Sequence, residues 1–121
     1  MKTLLTLLSG LIACNQLLAA DVTSTRTIIE QNLQGTIRDS SEVVRDANRK
    51  PGEVLAFFGL ESDMKVLEIS PASGYWTKFI GPSLCNNGGE LVVSVGVSAA
   101  FRDGVMTMDG LGCVSAINDD I

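Results

Sequence analysis

The chain has 121 residues, enough for one domain, and its 9 basic and 14 acidic side chains give a net charge of −5. An acidic chain without a basic cluster is a poor partner for a phosphate backbone, so we predict no nucleic-acid partner. The sequence has no histidine. This excludes histidine-based catalytic triads and histidine metal sites, and we predict no metal site.

Residues 1–20 have the features of a secretory signal peptide. Lys2 provides a positive start, residues 3–13 (TLLTLLSGLIA) are uncharged and apolar, and small residues lead up to Ala20. We predict cleavage after Ala20 and export to the periplasm or the medium. The apolar run is too short for a stable membrane span. Two alternatives stay open: a buried N-terminal helix, and a lipoprotein signal in which Cys14 carries the anchor.

Residues 21–59 are predicted to form N-terminal helices. Residues 39–42 (DSSE) offer N-cap chemistry for a second helix, which ends before Pro51. A third helix is predicted over residues 52–58, ended by Gly59. Gly35 separates the first two helices, whose thin apolar face consists of Ile28, Ile29, Leu33, Ile37, Val43, Val44 and Ala47.

Residues 65–95 predict a βαβ unit, which implies parallel strands and a right-handed crossover. Its strands are KVLEIS and ELVVSV, and the helix between them covers residues 75–84. A short helix over residues 98–108 and a third strand over residues 113–117 follow. We expect four aromatic side chains to be largely buried: Phe57, Phe58, Trp76 and Phe79.

Two cysteines, Cys85 and Cys113, lie in the predicted α/β region. Their spacing is not that of a zinc knuckle or a thioredoxin-like motif. In an oxidising compartment they could pair, but we favour two small buried thiols.

The segment VLEISPASGYW, residues 66–76, carries the chemistry. A buried strand ends close to an acid, Glu68, and a turn of small residues at positions 70–74 leads into a helix. This arrangement makes a pocket at the carboxyl end of the strand, where free N–H groups at the helix start can hold an anionic group.

The spacing of small residues separates the candidate ligands. A dinucleotide-binding fingerprint needs glycine where this chain has Ser70, Ala72 and Tyr75, and a bulky tyrosine obstructs helix–strand packing. The methyltransferase pattern, an acid followed by GxGxG, instead aligns with Ser70, Ala72 and Gly74. It therefore finds one glycine and two small substitutes.

Three neighbouring segments extend this pattern: RDANRKP at residues 45–51, FFGL at 57–60 and MKVLEI at 64–69. Together they resemble the exported, predicted S-adenosylmethionine (SAM)-dependent methyltransferases of bacteria, a class I family with a Rossmann-like fold. The resemblance covers about residues 38–95. It implies SAM as cofactor, Glu68 near its amino-acid end, and a cofactor site formed by Glu68, Ser70, Pro71, Ala72, Ser73, Gly74 and Tyr75, with Trp76 beside it.

The chain departs from this family in three ways. Ala72 and Ser73 stand where the family has glycine, and Val95 stands where methyltransferases place a ribose-binding acid. The later strands, with their substrate and catalytic residues, are absent, so we assign no catalytic residue. We expect a truncated and altered methyltransferase copy that binds SAM weakly and transfers no methyl group.

The predicted fold class is α/β, a partial doubly wound domain over residues 21–121. The first strand would lack a neighbour on one edge, which predicts self-association. Two other interpretations stay open: an exported non-catalytic ligand-binding or interaction module, and a decayed gene product without function. The site residues also have structural readings: Glu68 as a solvated acid, Trp76 as core, and Arg45, Asp46 and Arg49 as helix-surface charges.

Overall fold

The computed structural model describes residues 25–117. The predicted signal peptide, its cleavage after Ala20 and the alternative anchor at Cys14 lie outside the described residues. The described chain has five α-helices, one 3-10 turn and three strands. In chain order they are α1 (residues 25–33), α2 (Ser40–Arg49), α3 (Pro51–Phe57), β1 (Lys65–Ile69), α4 (Thr77–Cys85), β2 (Glu90–Ser94), α5 (Ala99–Asp103), the 3-10 turn (Val105–Thr107) and β3 (Val114–Ala116).

Local sequence signals set the helix boundaries. The Asp39 side chain accepts from the backbone N–H groups of Ser41 and Glu42, and the Glu42 side chain accepts from the Asp39 N–H. This is a complete capping box at the predicted start of α2. Lys50 has a left-handed backbone, φ 44°, and separates α2 from α3, which begins at Pro51.

The three strands form one parallel sheet in the order β1-β2-β3. Leu67 of β1 lies opposite Val92 of β2, and Val92 lies opposite Ser115 of β3. The predicted parallel βαβ unit is confirmed, and the fold is mixed α/β with a small three-stranded sheet.

Only one face of this sheet is covered by described residues. Leu91 and Val93 on the covered face are fully buried and share a core with Phe79 of α4. Side chains alternate between faces along a strand, so Leu67 and Ile69 point to the other face, where they are 54% and 66% exposed. Parallel sheets are normally covered on both faces, which makes this apolar face unusual.

The helix α2 packs through charged rather than apolar side chains. Glu42 is its buried residue, and its carboxylate lies 2.9 Å from the Lys78 ammonium of α4. The predicted apolar face of this helix is wrong, because Val43 and Val44 are 40% and 74% exposed. On α2 this buried ion pair, which joins residues 36 apart in sequence, takes the place of a hydrophobic contact.

Two further expectations are corrected. Phe79 is buried, as predicted, and Trp76 is half-buried against the core, but Phe57 and Phe58 are 84% and 76% exposed. They lie at the end of α3, and in the described chain their rings contact each other edge to face. Cys85 and Cys113 form a disulfide, so the favoured prediction of two free thiols is wrong.

A search of residues 25–117 for a helix long and apolar enough to cross a membrane finds none.

Candidate functional site

The predicted cofactor residues lie together at the carboxyl edge of the sheet. The loop of residues 70–76 connects β1 to α4, and the N–H of Ser70 donates to the carbonyl of Ser94 at 2.8 Å. This bond joins the ends of β1 and β2. Because β2 runs parallel to β1, Val95 follows directly beside the loop.

The backbone of this loop is left-handed at three alternate positions. Ser70 has φ 59°, Ala72 has φ 51° and Gly74 has φ 85°. These are the positions that hold glycine in the acid-GxGxG pattern. A left-handed backbone costs a non-glycine residue about 1–2 kcal/mol, so glycine suits all three positions, and this chain has it at only one.

The end of β2 is strained in the same way. Val95 has φ 61° and Gly96 has φ 69°, and a β-branched residue with positive φ is an outlier. Strained residues tend to cluster at functional sites, where surrounding structure over-determines them. Both strand ends at this edge of the sheet therefore have left-handed backbone.

The loop has a packed side and an open side. A Cβ added to Gly74 would lie 2.9 Å from a methyl group of Val105, so one side of the loop packs against the 3-10 turn. Pro71 is also buried, whereas Ala72 and Ser73 are exposed. A ligand reaching the loop would meet the side chains of Ala72 and Ser73.

Glu68 is half-buried and points back toward α4. The Thr77 hydroxyl donates to its Oε2 at 2.6 Å. Burial raises the pKa of Glu68 above its ordinary value, and the Thr77 hydrogen bonds offset part of that rise. Glu68 is therefore not a solvated strand-end acid, and one of its oxygens is already occupied.

Tyr75 is fixed by a buried network that the sequence did not reveal. Its side chain is 4% exposed, and its hydroxyl donates to Asp46 Oδ1 at 2.6 Å. The Asp46 carboxylate also accepts hydrogen bonds from both terminal nitrogens of Arg38, at 2.7 and 2.8 Å. Asp46 is thus a network residue rather than a surface charge. The sequence signal that could have indicated this role is the four-residue spacing of Glu42 and Asp46, which places both on one face of the helix.

The network shifts the pKa values of its members. Burial and the bond to Asp46 raise the pKa of Tyr75 to about 12. The Arg38 guanidinium holds the pKa of Asp46 below its ordinary value. At neutral pH the tyrosine is a neutral donor and the aspartate a charged acceptor, so the network is structural rather than a proton-transfer device.

One recess in the described chain lies away from the strand ends. It has a volume of about 180 Å³ between α1 and α3, lined in part by Ile29, Ala56 and Leu60. This volume is below the roughly 300–1,000 Å³ typical of ligand pockets. Within residues 25–117, no group of three or more acidic or cysteine side chains is arranged to hold a metal ion.

Comparison of the chain with models of protein families, with curated proteins and with solved structures finds no match.

Replacing the strained residues by glycine should stabilise the protein. For Ala72→Gly and Val95→Gly we expect a gain of about 0.5–1 kcal/mol each, because relief of the left-handed backbone exceeds the entropy cost of glycine. Urea denaturation measures the change. Ala47→Gly, at an exposed position inside α2, is the control and should lose about 1 kcal/mol. Losses at positions 72 and 95 matching the control would contradict the assigned strain.

Glu68→Gln should change the pH dependence of stability. Because the folded-state pKa is raised, this carboxyl contributes most to the stability of the fold below its unfolded-state pKa of 4.5. That contribution to stability is lost as the pH rises through the folded-state pKa. Glutamine keeps an oxygen that can accept from Thr77 without the charge. We expect the variant to be more stable than the wild type at pH 7, with the difference shrinking toward pH 4.

Urea denaturation of both proteins across this pH range measures that difference directly. Carboxyls with lowered pKa values, such as Asp46, act equally in both proteins and cancel. Glu53→Gln, which alters an exposed carboxyl, is the matched control. A stability difference for Glu68→Gln that is constant with pH would show that its burial does not control its protonation.

Proposed function

We propose that this chain is an exported SAM-dependent methyltransferase-like protein, with a Rossmann-like cofactor loop at residues 70–74. The observation that carries the proposal is the left-handed backbone at Ser70, Ala72 and Gly74. The general methyltransferase pattern, an acid followed by GxGxG, assigns glycine to these positions on sequence alone, and the backbone angles support that alignment.

The surroundings of the loop favour the same class of function. A parallel strand–loop–helix–strand unit presents its loop at the carboxyl edge of the sheet, where doubly wound proteins bind nucleotide-type ligands. The exposed side of the loop would receive the cofactor, and the buried network fixes Tyr75, the residue at which the loop ends. Glu68 and the loop from Ser70 to Tyr75 are the proposed cofactor residues.

Three features limit the affinity that we expect. Ala72 and Ser73 add side chains on the exposed side of the loop. Glu68 is engaged with Thr77, and β2 is followed by Val95 rather than by an acid for the ribose. Each lost hydrogen bond to a charged group is worth about 1.5–3 kcal/mol, or one to two decades of affinity. We therefore propose weak SAM binding and no methyl transfer.

The disulfide supports the export part of the proposal. Cys85 and Cys113 are paired, and disulfides persist mainly in secreted and periplasmic proteins. The disulfide and the predicted signal peptide are independent features, and both favour a periplasmic or secreted location.

Calorimetry with SAM and with its demethylated product tests the cofactor proposal. We expect weak or undetectable binding by the wild type, and binding at least about tenfold tighter when Ala72→Gly and Ser73→Gly are combined. Glu68→Ala in that background should remove it, whereas Glu53→Ala should not. No binding by the double glycine variant would count against the methyltransferase assignment. Micromolar binding by the wild type would show that the departures matter little.

The exposed apolar face of the sheet, called the bare face below, favours a second candidate function. This is a non-catalytic interaction module that associates with a second copy of the chain. Leu67 and Ile69 are exposed on this face, and β1 is an edge strand of the described sheet. An unpaired edge beside an apolar face invites pairing with another chain. The exposed Lys65–Glu90 ion pair at the end of the face could exchange partners across a two-fold axis.

Sedimentation velocity over a range of concentrations tests this association. We expect wild-type dimers at high concentration and monomers when Leu67→Lys and Ile69→Lys place charges on the bare face. Val44→Lys, at an exposed apolar position on α2, should leave the dimer intact. A wild-type chain that stays monomeric at all concentrations would eliminate the interaction module based on this face.

A further inference from the structure

Three guanidinium groups surround the Tyr75 ring. Those of Arg38, Arg45 and Arg49 lie 5.3, 5.6 and 4.3 Å from the ring centre. Arg38 is bound to Asp46. In the described part of the chain, Arg45 and Arg49 are exposed and neither forms an ion pair with a carboxylate. An otherwise acidic chain therefore has a local excess of positive charge here.

Arg49 also lines an open groove of about 370 Å³ between the end of α2 and α3. Its apolar lining residues are Val54, Phe57 and Phe58, and its polar ones are Asn48, Arg49, Lys50 and Glu53. Ligand sites in proteins combine an apolar, aromatic lining with a few placed polar groups. The exposed rings of Phe57 and Phe58, which contact each other edge to face, supply that lining.

The charges in the groove are unequal. The Lys50 ammonium lies 3.9 Å from the Glu53 carboxylate, so these two charges largely compensate each other. No carboxylate of residues 25–117 forms an ion pair with Arg49, and Arg45 one turn earlier adds to its positive potential. A guanidinium stacked on an aromatic ring keeps its in-plane N–H groups free and loses little further freedom on binding. Such a group suits the paired oxygens of a carboxylate or phosphate.

We propose that this groove binds a small amphipathic anion. Its carboxylate or phosphate contacts Arg49 in the field of Arg45, and its apolar body lies on Phe57 and Phe58. The site uses no residue of the loop at positions 70–74, so binding here can be tested separately from the methyltransferase proposal.

Phenyl phosphate is the probe that tests both halves of the site, with benzoate as its carboxylate counterpart. Inorganic phosphate carries only the charge, and benzyl alcohol only the ring. Titrations followed by NMR should show phenyl phosphate or benzoate binding at least about tenfold tighter than either half-probe, with shifts at Phe57, Phe58 and Arg49. The relative affinity of the two anions identifies which group the site prefers.

Variants assign the two contacts. Arg49→Gln should weaken phenyl phosphate binding about tenfold or more, because it removes a charge-assisted hydrogen bond, and Arg49→Lys should fall between it and the wild type. Phe57→Ser with Phe58→Ser should reduce the affinity to that of inorganic phosphate. Arg26→Gln, an exposed arginine on α1, is the matched control. Thermal unfolding verifies that each variant is folded.

Three results would overturn the proposal. One is equal binding of benzyl alcohol and phenyl phosphate, which would mean apolar association alone. Another is an equal loss of affinity in Arg26→Gln and Arg49→Gln, which would mean a general charge effect. The last is the absence of any shift at Phe57 and Phe58 on titration with either aromatic anion.

Discussion

The carboxylate of Asp46 connects three parts of the chain. It accepts from Arg38, which precedes α2, and from the hydroxyl of Tyr75, which precedes α4. Because Tyr75 directly follows the loop at positions 70–74, the Asp46 carboxylate ties that loop to α2. Removing one partner of a buried pair leaves an uncompensated charge. The Arg38 side chain, which has no exposed surface, would then be left as an unpaired buried charge. Polar contacts therefore add to the apolar core in fixing α2 against the loop.

Fixed contacts at both ends of the loop explain how residues with a strained backbone persist in it. Ser70 is held by its bond to Ser94, Gly74 is packed against Val105, and Tyr75 is held by Asp46. With both ends of the loop fixed, Ala72 has no other conformation available at low cost. The strain at Ala72 and the fixed Tyr75 are therefore two aspects of one feature, a loop whose shape is imposed by its surroundings. Such a preorganised loop suits ligand binding, since little ordering is left for the ligand to induce.

The helices and strands could be predicted because their signals are local. The capping box at Asp39, the break before Pro51 and the β-branched strands act within a few residues. The features that the sequence did not predict depend on partners distant in sequence. They are the Glu42–Lys78 pair, the disulfide, and the exposure of Phe57, which no described element covers. The strand and turn pattern predicted the candidate site only as a segment of sequence. Its backbone angles could not be read, because serine and alanine at positions 70 and 72 give no sign of a left-handed conformation.

The disulfide changes which parts of the fold can open separately. It ties the last residue of α4 to the residue before β3, a strand of three residues that pairs only with β2 among the described strands. So short a strand would ordinarily fray on its own, with little protection of its amides from hydrogen exchange. Through Cys113 it can leave the sheet only as far as the end of α4 permits, and α4 is anchored by the buried Phe79 and Leu84. The weakest strand thereby joins the cooperative unit of the most buried helix, and reduction of one covalent bond would return it to independent opening.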